Sequence, residues 1–149
     1  MDIKEFAEGM MIKHKTNNPF FIADELGIII VYRRMKNVLG FFNMYKRIKI
    51  IHLNNRLSEK LETFVCAHEL YHAIEHYDLN TPFLKRSTLY STDKIERQAN
   101  IFAVELLLND ELLREYPECS LYNIAKCLEI PGKLVELKTL SNLNRNMNR

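Results

Sequence analysis

The run Phe64-Val65-Cys66-Ala67-His68-Glu69-Leu70-Tyr71-His72-Ala73-Ile74-Glu75-His76 places three of the chain's five histidines four residues apart. That interval has a shared meaning only on a helix, where ~3.6 residues per turn stack positions i and i+4 one above the other. His68 and His72 can then aim ring nitrogens at one ion, at the ~2.0–2.1 Å that zinc requires. Glu69 is offset from that row by about 100°. A carboxylate so placed borders an ion without completing the row, where it can take a proton from activated water; this is the His-Glu-x-x-His arrangement of metal-dependent hydrolysis. Leu61, Phe64, Val65, His68 and His72 follow the stripe of an amphipathic helix, so both histidines face a core. Buried imidazoles need partners, and a shared metal ion competes here with a hydrogen-bonded core pair.

A tetrahedral catalytic site wants a third protein ligand. Helicity resumes at Asp93, with Ile95, Ala99, Phe102, Ala103 and Leu106 as its buried stripe and Glu96 on the flank shared with Asn100 and Ala103. Glu96 is the candidate, because Ala99 and Ala103 are small enough to let this helix approach the histidine helix. Asn100, one turn on, can orient the Glu96 carboxylate from behind. Asp93-x-x-Glu96 is also a capping box, in which Glu96 would only bond back to the Asp93 backbone. His76 continues the histidine row, but it lies about 12 Å along the axis from His68, too far for one ion to reach both. His14 and His52 read as structural or exposed.

Around these helices the chain predicts an α+β fold in one domain, residues 1–140, with a polar tail over 141–149. At 149 residues and 47% hydrophobic content it can bury about two thirds of its unfolded surface. Ile3, Phe6, Ala7, Met10 and Met11 make a first helix, and Phe20 to Leu26, ended by Gly27, a second. Ile28–Tyr32, Leu39–Tyr45 and Arg47–Leu53 read as three strands of a small sheet, whose outer strand can accept an extended peptide. Ser58 caps the long metal-binding helix. Asp78 to Thr92 loses periodicity and reads as a loop bordering a cleft.

Ser120 caps a helix over Leu121–Leu128, Pro131-Gly132 turns, and Leu134, Val135, Leu137 and Leu140 suggest another, so residues 120–140 resemble a helix-turn-helix. Its second helix sets only Lys133 and Lys138 against Glu136, which favours packing on the core over groove binding. The net charge of +2 is interspersed, with local basic groups at Arg33, Arg34, Lys36, Lys46, Arg47 and Lys49. Three cysteines without a Cys-x-x-Cys pair argue against a disulfide framework, and no signal peptide or membrane span is visible. The expectation is a cytoplasmic protein that neither enters a membrane nor binds nucleic acid directly.

The same residues carry a family resemblance. Thr16-Asn17-Asn18-Pro19, Ile51-His52-Leu53-Asn54, the Phe64–His76 run, and Glu96-Arg97-Gln98-Ala99-Asn100-Ile101-Phe102-Ala103 with Glu105-Leu106-Leu107-Leu108 resemble the ImmA/IrrE metallopeptidases over most of residues 16–140. Tyr71 departs from the usual glycine between the ligands, and Asn109-Asp110 replaces the usual Met-Pro. The resemblance implies a gluzincin-like site with His68, His72 and Glu96 as zinc ligands and Glu69 as base. A metzincin site fits less well, since its third histidine would fall at Asp78. Members of phages and mobile elements cleave a helix-turn-helix repressor encoded nearby, so the resemblance implies a zinc endopeptidase of that branch. Tyr90 and His76 are candidates for a second electrophile, against packing or surface roles. Two other classes stay open: a zinc-stabilised module that binds a repressor without cutting it, and a small DNA-binding protein using residues 120–140. Metal content, dependence on Glu69 and a salt-dependent DNA shift separate them.

Overall fold

Helices begin in this chain where the sequence supplies an oxygen acceptor for the first free backbone N–H groups. In the computed structural model, which describes residues 2–138, Asp2 accepts from Lys4 N at 2.8 Å and starts α1, Ile3–His14. Asn18 accepts from Phe20 N at 2.9 Å and starts α2, Pro19–Glu25, whose proline sits where a missing N–H costs nothing. Ser58 accepts from Leu61 N at 3.3 Å and starts α3, Glu59–Glu75. Asp93 precedes α4, Lys94–Leu107, without a side-chain cap bond. Asn109 caps α5, Asp110–Glu115, and Ser120 caps α6, Leu121–Cys127. Gly27, at φ +73°, takes the left-handed conformation that ends α2.

The three strands are β1 Ile29–Arg33, β2 Gly40–Tyr45 and β3 Ile48–Asn54, in the order β1-β3-β2. β2 and β3 form an antiparallel hairpin, while β1 runs parallel to β3, so Ile30 and Tyr32 share a face with Ile51 and Leu53. Ile51 and Leu53 are fully buried on the α3 side, and Ile29, Ile48 and Tyr45 are exposed on the other. The hairpin turns at Lys46 and Arg47, both at positive φ (49° and 69°).

α3 lies between the sheet and α4 and carries the core: Phe64, Val65, Ala67 and Leu70 are fully buried, as are Ala99, Phe102 and Ala103 of α4. Each large apolar side chain in that layer contributes roughly 1.5–3 kcal/mol by leaving water. Tyr71 takes its place there too. Its ring stacks on Phe102 at 5.0 Å and meets Phe6 of α1 edge-on at 5.8 Å, so the bulk replaces small-residue contact with an aromatic cluster.

The expected α+β fold with a small three-stranded sheet is observed, and the loop over 78–92 holds more order than its sequence suggests. It contains a 3₁₀ turn at Arg86–Thr88, and Leu84 bridges the free edge of β2, with Leu84 N donating to Gly40 O at 2.9 Å. Of the two outer strands, β1 and β2, β2 is therefore covered at its first residue. After α6 a 3₁₀ turn, Gly132–Leu134, leads into helical residues 135–138. The stretch to Leu140 and the polar tail over 141–149 lie outside the described residues.

Candidate metal centre

The buried histidine row demands something from α4, and α4 supplies a carboxylate. His68, Glu69 and His72 have no solvent exposure, and Glu96 is 2% exposed. His68 Nε2 lies 3.2 Å from Glu96 Oε2, and His72 Nε2 lies 2.7 Å from Glu96 Oε1. One nitrogen from each ring and one Glu96 oxygen all fall within 4.8 Å of one another, an N, N, O set of the kind a divalent ion takes from two helices. Glu96 therefore faces the histidines, and the alternative in which it caps its own helix is not what the backbone and side chain do: Asp93 has no side-chain cap bond.

The fit to a cation rests on orphaned atoms. His72 Nε2, Glu96 Oε1 and both carboxylate oxygens of Glu69 are buried without a hydrogen-bond partner among the described residues. The 2.7 Å approach of His72 to Glu96 is thus a close contact without donor geometry. Native interiors rarely leave four polar atoms unsatisfied in one place, and a cation held among them would satisfy those of His72 and Glu96. Glu69 occupies the face of α3 one turn on from Val65, the residue against which Gly40 of β2 packs.

Each imidazole is held from behind. Nδ1 of His68 donates to Asn100 Oδ1 at 2.8 Å, and Asn100 Nδ2 donates to the Leu89 carbonyl at 2.8 Å. That second bond fixes which end of the amide faces His68. Asn100 was expected to orient Glu96; the structure puts it on His68 instead. Nδ1 of His72 lies 2.9 Å from Nδ1 of His76, whose Nε2 lies 2.9 Å from Gln98 Oε1. His76 sits behind His72, away from Glu96, and Gln98 is a participant that sequence reasoning missed. The signal available for it was His76, the third histidine of the row, which the sequence offers as a competing ligand, a second electrophile or a packing residue but not as a partner of His72.

Electrostatics follow the geometry. Burial opposes ionisation of Glu96, but the close approach and charges of His68 and His72 outweigh it and hold its carboxyl at about 2. Burial, with the nearby Glu96 charge, pushes Glu69 up to about 8. For His68 the carboxylates overcome burial and raise its pKa, whereas for His72 burial wins and lowers it. The remaining expectations resolve away from the centre. His14 bonds Glu25 at 2.9 Å and His52 bonds Asn43 at 2.7 Å, both structural. Tyr90 is 45% exposed beneath Lys133 Nζ, 5.2 Å from its ring centre. Lys138 is buried against Glu105 and Asp110, which removes half of the weak basic face proposed for residues 120–140. Cys66, Cys119 and Cys127 are free, and no helix among the described residues is long and apolar enough to cross a membrane.

The chain matches the peptidase M78 family, described as an IrrE N-terminal-like domain, over residues 23–140. It is 42% identical over 144 residues, 95% of this chain and 91% of the relative, to "Uncharacterized immunity region protein 2" of Bacillus phage phi105. It is 35% identical over 115 residues, 76% of this chain and 67% of the relative, to "Metallopeptidase ImmA" of Bacillus subtilis (strain 168). The matched span includes both helices that bring His68, His72 and Glu96 together, and on that footing the chain belongs to the ImmA/IrrE family of metallopeptidases.

Proposed function

We propose that this protein is a cytoplasmic zinc-dependent endopeptidase that cleaves a helix-turn-helix repressor of a phage or mobile element and so relieves repression. His68, His72 and Glu96 hold the ion, and Glu69 is the general base. The observation that carries the reading is the convergence of three ligand atoms within 4.8 Å beside a buried carboxylate that has no hydrogen-bond partner among the described residues. The substrate class is supported by the resemblance and by a phage relative whose name places that protein in an immunity region.

When bound, the ion supplies Lewis acidity that polarises a scissile carbonyl and acidifies water. The chain's own part is proton handling and positioning. Burial raises the pKa of the Glu69 carboxyl, and the ionised form that accepts a proton is favoured beside a cation held by its neighbours. Glu69 accepts a proton as water adds to the carbonyl carbon, and returns it to the amide nitrogen as the carbon–nitrogen bond breaks. Glu96 supplies the negative charge, and the bonds behind His68 and His72 hold the rings in place.

The test is incubation of the purified protein with the helix-turn-helix protein encoded beside its gene, followed by mass measurement of fragments. Cleavage at one or a few bonds is expected, with Glu69→Gln retaining its ion and losing roughly 10²–10⁴-fold in rate. A Glu69→Gln variant as fast as the parent would remove the hydrolase mechanism. The complete burial of His68, Glu69 and His72 also suits a second reading, a zinc-stabilised module that binds the repressor without cutting it. Tight binding with no fragments under any metal tried would favour that reading.

A further inference from the structure

His76 closes α3 and is 6% exposed, with the Tyr71 ring packed edge-on against it at 5.4 Å. Its two ring nitrogens make the two 2.9 Å contacts already described, one to His72 and one to Gln98. With both imidazoles neutral and Oε1 of Gln98 facing His76, the bonding pattern has one solution. The amide oxygen of Gln98 can only accept, so Nε2 of His76 donates to it. A neutral imidazole protonated there has its lone pair on Nδ1, so Nδ1–H of His72 donates to His76. His72 in that form has its lone pair on Nε2, the atom 2.7 Å from Glu96 Oε1.

The direction of this chain matters, because an unpartnered histidine side chain in water favours the opposite tautomer, with hydrogen on Nε2. In that form His72 would present a proton, and no lone pair, to the space it shares with His68 and Glu96. His68 meets the same demand through Asn100 and Leu89. Gln98 and Asn100 both stand on α4, so one helix sets the tautomer of both rings on the other.

We infer that His76, held by Gln98, is a positioning residue that fixes His72 as its Nδ1–H tautomer and leaves the Nε2 lone pair open to the space shared with His68 and Glu96. The role it serves rests on the metal-site reading above, while the tautomer itself is measurable without any ion.

The experiment uses the full chain with ¹⁵N-labelled histidine, freed of metal, at a pH well above the histidine range. Long-range proton–nitrogen spectra of the parent should show His72 protonated on Nδ1. His76→Leu should shift it to the Nε2–H form or a mixture, and His76→Gln, whose side-chain oxygen can accept from His72, should restore the parent pattern. Gln98→Leu, at a half-buried position, should loosen the preference, and it keeps the inference testable if loss of the His76 ring unfolds the helix end. In parallel, zinc titration against a chromophoric chelator should give one ion per chain throughout. The affinity should fall roughly 10–100-fold in His76→Leu and by much less in His76→Gln. An unchanged His72 tautomer in both leucine variants overturns the inference. So does a His76→Gln variant that behaves like His76→Leu. If the parent bound no zinc but showed the predicted tautomers, the metal reading would fail and the hydrogen-bond assignment would stand.

Discussion

His68 on α3 donates from Nδ1 to Oδ1 of Asn100 on α4 across 2.8 Å, and both residues are buried. Asn100 is in turn anchored by the Leu89 carbonyl, so the loop before α4 contributes to the orientation of His68. Outer partners of this kind typically change metal affinity 10–100-fold when removed. Asn100→Leu should weaken zinc binding by that amount. Asn100→Asp keeps an acceptor for His68, loses the donor to Leu89, and should fall between leucine and the parent. Competition titration checks both; a leucine variant within twofold of the parent would show that His68 needs no such support.

Glu96 and Asp93 offer a sharp contrast on one helix. A working capping box would make Asp93→Ala cost about 1 kcal/mol. With no side-chain cap bond present, the substitution should stay within about 0.5 kcal/mol and leave metal content unchanged. Glu96→Ala should abolish stoichiometric zinc, because it removes the only carboxylate of the His68–His72–Glu96 cluster. Metal analysis and urea unfolding of the two variants decide between the roles.

Gly40 is where β2 passes over α3. A Cβ there would stand 2.7 Å from Val65 Cγ1 and 2.9 Å from the His52 carbonyl oxygen. Overpacking of this kind costs roughly 1–3 kcal/mol, and Gly40→Ala should lower the urea midpoint accordingly. Val65→Ala in the same chain relieves the first contact but not the second, a backbone atom. The double variant should therefore recover only part of the loss relative to Val65→Ala alone; complete recovery would mean that the His52 carbonyl can yield.

The histidine helix and the Glu96 helix were legible in the sequence because their information is local: a four-residue interval and an apolar stripe each specify a helix and its buried face. The strands were legible to within a residue or two for the same reason. Their order was not, since β1 pairs with β3 and nothing in either run says so. The hairpin was muted because Lys46 and Arg47 occupy positive-φ positions where glycine or asparagine would have announced a turn. α5 escaped notice as a single short helix of Asp110–Glu115. The partners of His68 and His72 were harder still. Asn100 pointed to the right site but to the wrong residue, and Gln98 acts only through His76, a relation between two helices that periodicity along one of them cannot reveal.

A charge cluster that joins residues far apart in sequence is the basis of the pH prediction. Lys4 of α1 donates to Asp110 at 2.9 Å, and Lys138 stands 2.7 Å from Asp110 and 3.0 Å from Glu105, so four charges tie α1, α4 and α5 to the 135–138 segment. Burial works against ionisation of Asp110, yet the two lysines outweigh it and hold its carboxyl at about 2, below the ordinary 3.8. A depressed carboxyl contributes stability that is present above its unfolded value and is lost as pH falls through the folded one, here between about pH 4 and pH 2. Glu105 behaves oppositely, because burial raises its pKa, and it does not add to that acid loss. Asp110→Asn should thus lower stability at neutral pH by about 1–2 kcal/mol and flatten the slope between about pH 4 and 2. Lys138→Ala, which leaves the buried Glu105 only the longer 3.7 Å contact with Lys4, should cost more, about 3 kcal/mol. Urea midpoints measured across the acid range test both. If Asp110→Asn lost stability in parallel with the parent as the pH fell, other carboxylates would be responsible for acid unfolding.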